Sequence, residues 1–359
     1  MKKENYSTEL IKKADSYRTL PLPASDGVVE WMCPSNIALV KYWGKGPGQI
    51  PKNPSLSMTL DQAHTRTRIS YSYDPSAVPD EMNFQFEGSK NSSFQERIEK
   101  YLDSIGSFLP FLQHSSLKIE TSNSFPHSSG IASSASAMAA LSVCLVNMEE
   151  KIRGTKEDDH LKKASFLARL GSGSASRSLI PEFALWGASE IWPGSSDEFA
   201  ISTGPVHSSF RNIMDSILIV ESGQKKVSSS AGHKLMENNP FALTRFEQAR
   251  HNMGRMKSIL GEGDWDGFIE LMEEEALSLH AMMMTGKPGY LLMKEGTLEI
   301  IRKVRDFRKE SGKHLGFTLD AGANVHLLFN AVHEKEVKQF IDEELIIHCE
   351  NSQLIHDRM

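Results

Sequence analysis

Residues 315–329, LGFTLDAGANVHLLF, set one carboxylate, Asp320, between Leu319 and the small residues Ala321, Gly322 and Ala323. A carboxylate in apolar surroundings costs several kcal/mol unless something pairs with it or uses it. The chemistry open to it is to accept a hydroxyl proton or to orient the hydroxyl, and the small neighbours leave room for the group that carries that hydroxyl.

Three other segments hold groups that suit anions. FPHSSGIASSASAMAAL combines Gly130, small residues through Ala135 and the hydroxyls of Ser128, Ser129, Ser133, Ser134 and Ser136 just ahead of an apolar helical pattern. Backbone N–H groups and the helix dipole can there face an oxyanion. No Gly-Lys-Ser/Thr follows, so this is not a Walker A loop, and a serine-rich loop can also be no more than a helix cap. GSGSASRS reads as a second helix start, with Ser172, Ser174 and Arg177 within two turns. Ser174 and Arg177 share a face, and the arginine fork matches a carboxylate or a phosphate; taken alone, a capped helix with a solvated arginine explains the segment better. In SNIALVKYWGK, Lys41 and Lys45 bracket Tyr42 and Trp43 at the end of an apolar strand, where sites are often built and where lysines also commonly snorkel. A phosphate loop, an anion-holding turn, a cationic strand end and a lone carboxylate together suit phosphoryl transfer from a nucleotide to an anionic substrate.

The elements that must position these groups are legible in outline. The 359 residues are 39% hydrophobic, enough for a large core in one domain or two lobes. Forty basic against 46 acidic residues give a net charge of -6, so there is no broad basic footprint for nucleic acid. Three distant cysteines, Cys33, Cys144 and Cys349, form neither a disulfide framework nor a metal motif, and a reducing cytoplasm fits them. No leader or membrane-spanning run is expected. Residues 1–28 read as a polar extension. VVEWMCPSNIALVKYW reads as one or two strands, residues 57–73 as a period-two strand and residues 94–112 as helical. Further on come a strand at 215–222, a helical region at 241–284 with FIELMEEEALSLHAMMM as its clearest amphipathic run, and a helix at 292–309 leading into strand, turn, then strand or helix around Asp320.

The order and wording of SNIALVKYWGK…NPSLSMTL, PHSSGIASSASAMAAL, GSGSASRSL, VSSSAG, HAMMM and FTLDAGANVHLLF resemble the mevalonate diphosphate decarboxylases of the GHMP kinase superfamily, over roughly residues 31–329. The resemblance implies an α/β, two-lobed GHMP kinase fold. Its N-terminal lobe, residues 29–210, would be ribosomal protein S5 domain 2-like with a left-handed βαβ unit around the phosphate loop, and residues 211–359 would form a ferredoxin-like C-terminal lobe. It also implies a cytoplasmic homodimer that uses ATP and Mg²⁺ to convert mevalonate 5-diphosphate to isopentenyl diphosphate, CO₂, ADP and phosphate.

Carried over by position, Asp320 matches the catalytic aspartate and Arg177 the arginine that grips the substrate carboxylate. Lys41, Tyr42, Trp43 and Lys45 match the strand end near the diphosphate and reacting groups, with Lys45 counted among the catalytic residues. Ser172, Ser174 and Ser229 match substrate-side serines. Ser128, Gly130, Ala132, Ser133 and Ser134 match the ATP phosphate loop, with Ser133 or Ser134 as the hydroxyl nearest the metal. The chain departs from the family pattern at Ala323 for proline, Ile131 for leucine, Ser176 for cysteine and in the loop GPGQIPKNPS. Two alternatives remain: a sister enzyme of the same fold, either a mevalonate 3-kinase or a monophosphate decarboxylase, and a non-catalytic nucleotide- or metabolite-binding protein.

Overall fold

Alternation decides the longest strand: in SMTLDQAHTRTRISYSY buried and exposed positions alternate from Ala63 onward, one face on a core and one in water. The computed structural model describes residues 5–18, 20, 22–125, 131–222 and 229–359, the side chains of 229 and 230 excepted. In chain order it runs α1 (Tyr6–Arg18), β1 (Ser25–Val40), β2 (Ser55–Tyr73), β3 (Asn83–Phe86), β4 (Ser89–Lys90), α2 (Ser92–Ile105), β5 (Ser115–Asn123), α3 (Ser133–Arg153) and α4 (His160–Gly171). A 3₁₀ turn at Gly173–Leu179 leads to β6 (Phe183–Trp186), β7 (Ala200–Ser202), β8 (Ile213–Leu218), α5 (Ser229–Lys234), α6 (Ala242–Glu262) and α7 (Trp265–Met284). The chain continues through α8 (Glu295–Ser311), β9 (Leu315–Leu319), β10 (Val325–Asn330), α9 (Glu334–Phe340) and β11 (Leu354–Arg358).

The first sheet has the order β4-β3-β5-β2-β6-β7, with β1 along the other edge of β2. The second, β11-β8-β10-β9, is antiparallel throughout. Alanine-rich α3 lies across β1 and β2, and its small residues let it sit almost wholly buried. The lobes are not beads. Ile37, Leu56 and Phe183 of the first share one core cluster with Ile217, Met256, Phe268 and Leu328 of the second. Asp357 of β11 accepts hydrogen bonds from the amides of Asp61, Gln62 and Ala63, at 2.8, 2.9 and 2.7 Å, where the pairing of β1 with β2 is interrupted.

One expectation is refined and two need correction. Residues 241–284 are helical as expected, and the structure adds only that they divide into two helices, because Gly263 adopts a left-handed conformation (φ 81°) and Asp264 caps α7 by accepting from Gly267 N at 2.9 Å. GSGSASRS is the exit of a helix rather than a start: Ser172 is extended at the end of α4, and the arginine rides the following 3₁₀ turn. The polar extension contains α1, which buries Tyr6, Leu10 and Ala14, and β1 already begins at Ser25. Polarity hid this because one face suffices to dock a short helix. Tyr6 packs edge-on against Phe166 and Phe199, the amides of Tyr6 and Ser7 donate to Glu198 at 2.7 and 3.2 Å, and Arg153 lies 3.6 Å over the Tyr17 ring.

Leu10 is among the least exposed residues of α1 and belongs to the large core of the first lobe. Leu10→Ala is expected to lower the unfolding free energy by about 2–4 kcal/mol, measured from the urea midpoint. A loss below about 0.5 kcal/mol would mean that α1 is not part of the cooperative unit.

Candidate active site

One cleft between the lobes, with room for about 290 Å³, is lined by residues from all four of the segments that carry chemistry. Asp320 follows β9, where Thr297 Oγ1 donates to Ala323 O at 2.6 Å and Asn324 exchanges hydrogen bonds with the backbone of Glu221. These bonds hold the turn at the position where the family pattern has proline. His280 Nε2 lies 3.1 Å from the Asp320 carbonyl oxygen, which leaves the carboxylate to face the cleft.

Asp320 is neither lone nor deeply buried. Its side chain is 28% exposed, and Oδ1 lies 3.2 Å from Lys41 Nζ, which is itself 2% exposed. Lys41 therefore pairs directly with the carboxylate, at the strand end expected near the diphosphate and reacting groups. Burial pulls the ammonium down from its ordinary range and Asp320 opposes that shift. The backbone is pinned as well: Glu275 of α7 accepts from Lys41 N at 2.8 Å, and is held by Arg245 and by Asn252 Nδ2 at 2.8 Å. Asn53 Nδ2 donates to Lys41 O at 3.0 Å.

Arg177 is buried to 2% exposure, so it is no solvated helix residue. Its guanidinium donates to three neutral oxygens, Ser57 Oγ at 3.1 Å, Ser55 Oγ and Asn36 Oδ1 at 3.4 Å. Desolvation pushes it down to about 10, with Asp320 and Tyr42 opposing. A buried cation with no carboxylate in ion-pair contact among the described residues, lining a cleft, is suited to hold an anion. Asn36 also donates to Ser178 Oγ at 2.8 Å and Ser174 O at 3.3 Å, tying the 3₁₀ turn to β1. Ser174 lines the cleft, as does Ser172, whose Oγ lies 3.5 Å from Ser134 Oγ.

Ala132, Ser133 and Ser134 line the cleft at the start of α3, and Ala132 has a positive φ of 40°. Ser128 and Gly130 lie outside the described residues, as does the side chain of Ser229, whose backbone opens α5. Lys45 Nζ donates to Gln49 Oε1 at 2.9 Å, both lining the cleft, and desolvation lowers its pKa. The GPGQI loop closes on itself through Gly46 N to Ile50 O at 2.7 Å. Tyr42 OH and Trp43 Nε1 are buried donors with no partner among the described residues. Both rings sit tightly: a Cβ on Gly173 would come within 3.0 Å of Tyr42, and one on Gly232 within 2.4 Å of Trp43 Cη2.

Sequence reasoning missed Arg97, Asn36 and His233, which all line the cleft, and a second, apolar cavity of about 160 Å³ beside it. Phe84, Phe86, Phe94, Ile119 and Met138 wall that cavity, and Arg97, Ser133 and Ser134 border both spaces. The signal available was an aromatic run, NFQF, near an arginine at helical spacing from Phe94, which by itself reads as core.

Comparisons with known proteins agree with this geometry. Two family models match, the diphosphomevalonate decarboxylase-like N-terminal domain over residues 33–200 and the mevalonate 5-diphosphate decarboxylase C-terminal domain over 216–358. The diphosphomevalonate decarboxylase of Ganoderma lucidum is 30% identical over 326 residues, 86% of this chain and 80% of the relative. The crystal structure of mevalonate diphosphate decarboxylase from Staphylococcus aureus superposes with a TM-score of 0.79 at 27% identity, covering 93% of this chain and 96% of that one. A structure of MDDEF in complex with MVAPP, AMPPCP and magnesium gives 0.79 at 28% identity, with coverages of 93% and 97%.

The Lys41–Asp320 pair makes a prediction about pH. In Asp320→Ala the lysine stays buried without its carboxylate, so its pKa in the folded state falls further below the unfolded value. The unfolded state then binds more protons, and stability rises with pH. The stability deficit of Asp320→Ala relative to wild type is therefore expected to be larger at pH 7 than at pH 9.5 in urea unfolding. A deficit independent of pH would remove Lys41 from the account.

Proposed function

Because the chain belongs to the diphosphomevalonate decarboxylase family, we infer that it catalyses the ATP-dependent decarboxylation of mevalonate 5-diphosphate to isopentenyl diphosphate, CO₂, ADP and phosphate. The observation that carries the reading is the convergence, in one cleft, of the Lys41–Asp320 pair and the buried Arg177 with the start of α3. Arg177 holds the substrate carboxylate through its planar fork, already oriented by Ser55, Ser57 and Asn36. Asp320 receives or orients the proton of the C3 hydroxyl, and Lys41 favours its ionised form.

Phosphorylating that tertiary hydroxyl turns a poor leaving group into phosphate. As phosphate departs, positive charge builds at C3, and loss of the neighbouring carboxylate as CO₂ supplies the electron pair that becomes the double bond. The cleft must therefore hold two anionic ends apart and keep water from C3. The rings of Tyr42 and Trp43, whose OH and Nε1 are sealed from solvent, line the cleft and help to exclude water.

For ATP, the amides and hydroxyls of Ser133 and Ser134 at the N-terminus of a 21-residue helix fit phosphoryl oxygens, and Arg97 beside them fits a bridging role. The adjoining apolar cavity has walls suited to a purine ring. Among the described residues no cluster of His, Cys, Asp or Glu could hold a metal by itself. Ser133 and Ser134 fit as hydroxyl ligands to a magnesium ion carried in on the phosphates, where it would neutralise phosphoryl charge. No helix among the described residues is long and apolar enough to cross a membrane. A cytoplasmic homodimer remains part of this reading.

Purified protein with ATP, Mg²⁺ and mevalonate 5-diphosphate is expected to release CO₂ and ADP in equal amounts and to form isopentenyl diphosphate. ADP without CO₂ would indicate a 3-kinase, faster CO₂ release from the monophosphate the sister decarboxylase, and no ADP from any mevalonate phosphate a binding protein.

Arg177→Lys keeps the charge but loses the fork, and kcat/KM is expected to fall by about one to two orders of magnitude or more. A lysine variant equal to wild type would take carboxylate recognition away from this residue.

A further inference from the structure

His233, on α5, fills the corner of the cleft beside Lys45 with only 8% of its surface exposed. Its ring is wedged between two aromatic neighbours, 4.3 Å from the Tyr42 centroid and 4.7 Å from that of Trp43. Nδ1 accepts a hydrogen bond from Gly44 N at 2.9 Å. A backbone N–H can only donate, so Nδ1 carries no proton and the proton of the neutral ring sits on Nε2. A second proton would have to go on Nδ1, against the Gly44 N–H, and both burial and Lys45 disfavour it, holding the imidazole down to about 3. Nε2 has no partner among the described residues and is absent from the sealed polar atoms of the interior. Its N–H therefore opens on the cleft.

We propose that His233 is a ligand-binding residue of this cleft: its Nε2–H donates, uncharged, to a phosphoryl oxygen at the diphosphate end of the substrate. The proposal rests on the reading of the cleft given under Proposed function and adds a recognition element to it. A neutral donor between two aromatic rings complements Lys45, since it adds a directed hydrogen bond to an anion without adding a second cation whose repulsion would weaken the first. The same placement explains why the ring packs so closely: Tyr42 and Trp43 fix its plane, Gly44 fixes its tautomer, and one N–H is left to point.

Two variants separate binding from packing. His233→Leu keeps an apolar body and removes the donor; His233→Gln places an amide N–H at similar reach. The expected result is a KM for mevalonate 5-diphosphate raised about tenfold in His233→Leu, the scale of one hydrogen bond to a charged acceptor, largely restored in His233→Gln, with KM for ATP and the melting temperature little changed in both. Calorimetric titration with inorganic diphosphate, free of any turnover, is expected to weaken in the leucine variant by a similar factor.

Equal KM for mevalonate 5-diphosphate in wild type and His233→Leu would overturn the proposal. So would a glutamine variant as poor as the leucine one, or a loss that falls on ATP instead. A proton-linked rise in wild-type KM between pH 6 and 7.5 that is absent from His233→Gln would also overturn it, because it would mean a charged imidazolium. If wild type makes no product from any mevalonate phosphate yet binds inorganic diphosphate more tightly than His233→Leu, the reaction assigned to the cleft fails while the role of the histidine stands.

Discussion

A lysine 2% exposed cannot stay charged in a protein interior without a carboxylate, and here the carboxylate comes from the other lobe. Lys41 ends the run of β1; Asp320 follows β9. The contact at 3.2 Å ties the two lobes together at the cleft that both line. Around it the supports are layered. Glu275 holds the Lys41 amide, Arg245 and Asn252 hold Glu275, and α7, which carries Glu275, also packs on β1 and β9. Displacing any of these would shift the lysine, and with it the ion pair that Lys41 makes with Asp320.

The second constraint is that no carboxylate among the described residues forms an ion pair with Arg177. Three neutral oxygens suffice to aim its fork but not to neutralise it, and burial pushes its pKa down to about 10. An ion pair within the protein would relieve that tension and leave nothing for a ligand. Lys41 and Arg177, both buried, thus differ: Lys41 is paired with a carboxylate, whereas Arg177 has neutral oxygens alone as its hydrogen-bond partners among the described residues.

What the sequence made legible follows from how local each signal is. Period-two alternation in β2 and the alanine-rich run of α3 are properties of single segments, and both elements stand where expected. The question posed by Asp320 was sound, but its answer, Lys41, lies 279 residues away and could not be read from spacing. Within its own segment Arg177 reads more readily as a solvated residue, because nothing local says that Ser55, Ser57 and Asn36 will surround it. His233 was passed over since a single histidine in a polar stretch carries no pattern; its partners, Tyr42, Trp43 and Gly44, come from β1's far end. The helix-start reading of GSGSASRS failed because small polar residues cap helices at either end, and only the preceding α4 decides which. The extension mislead by average composition: three buried side chains on one face of α1 are enough to dock it.

Asp357 satisfies the amides of Asp61, Gln62 and Ala63 across sequence separations of 294 to 296 residues. On a ribosome the chain emerges from its N-terminus, so this irregular stretch of β2 leaves the exit tunnel long before its acceptor has been translated. At about 5–20 residues per second the wait is on the order of tens of seconds, during which the three amides have only water for company. The first lobe can collapse around α3 in that interval, yet its longest strand keeps an open seam until β11 arrives. Translation speed over the second lobe thus sets how long the nascent first lobe lives with an unfinished strand.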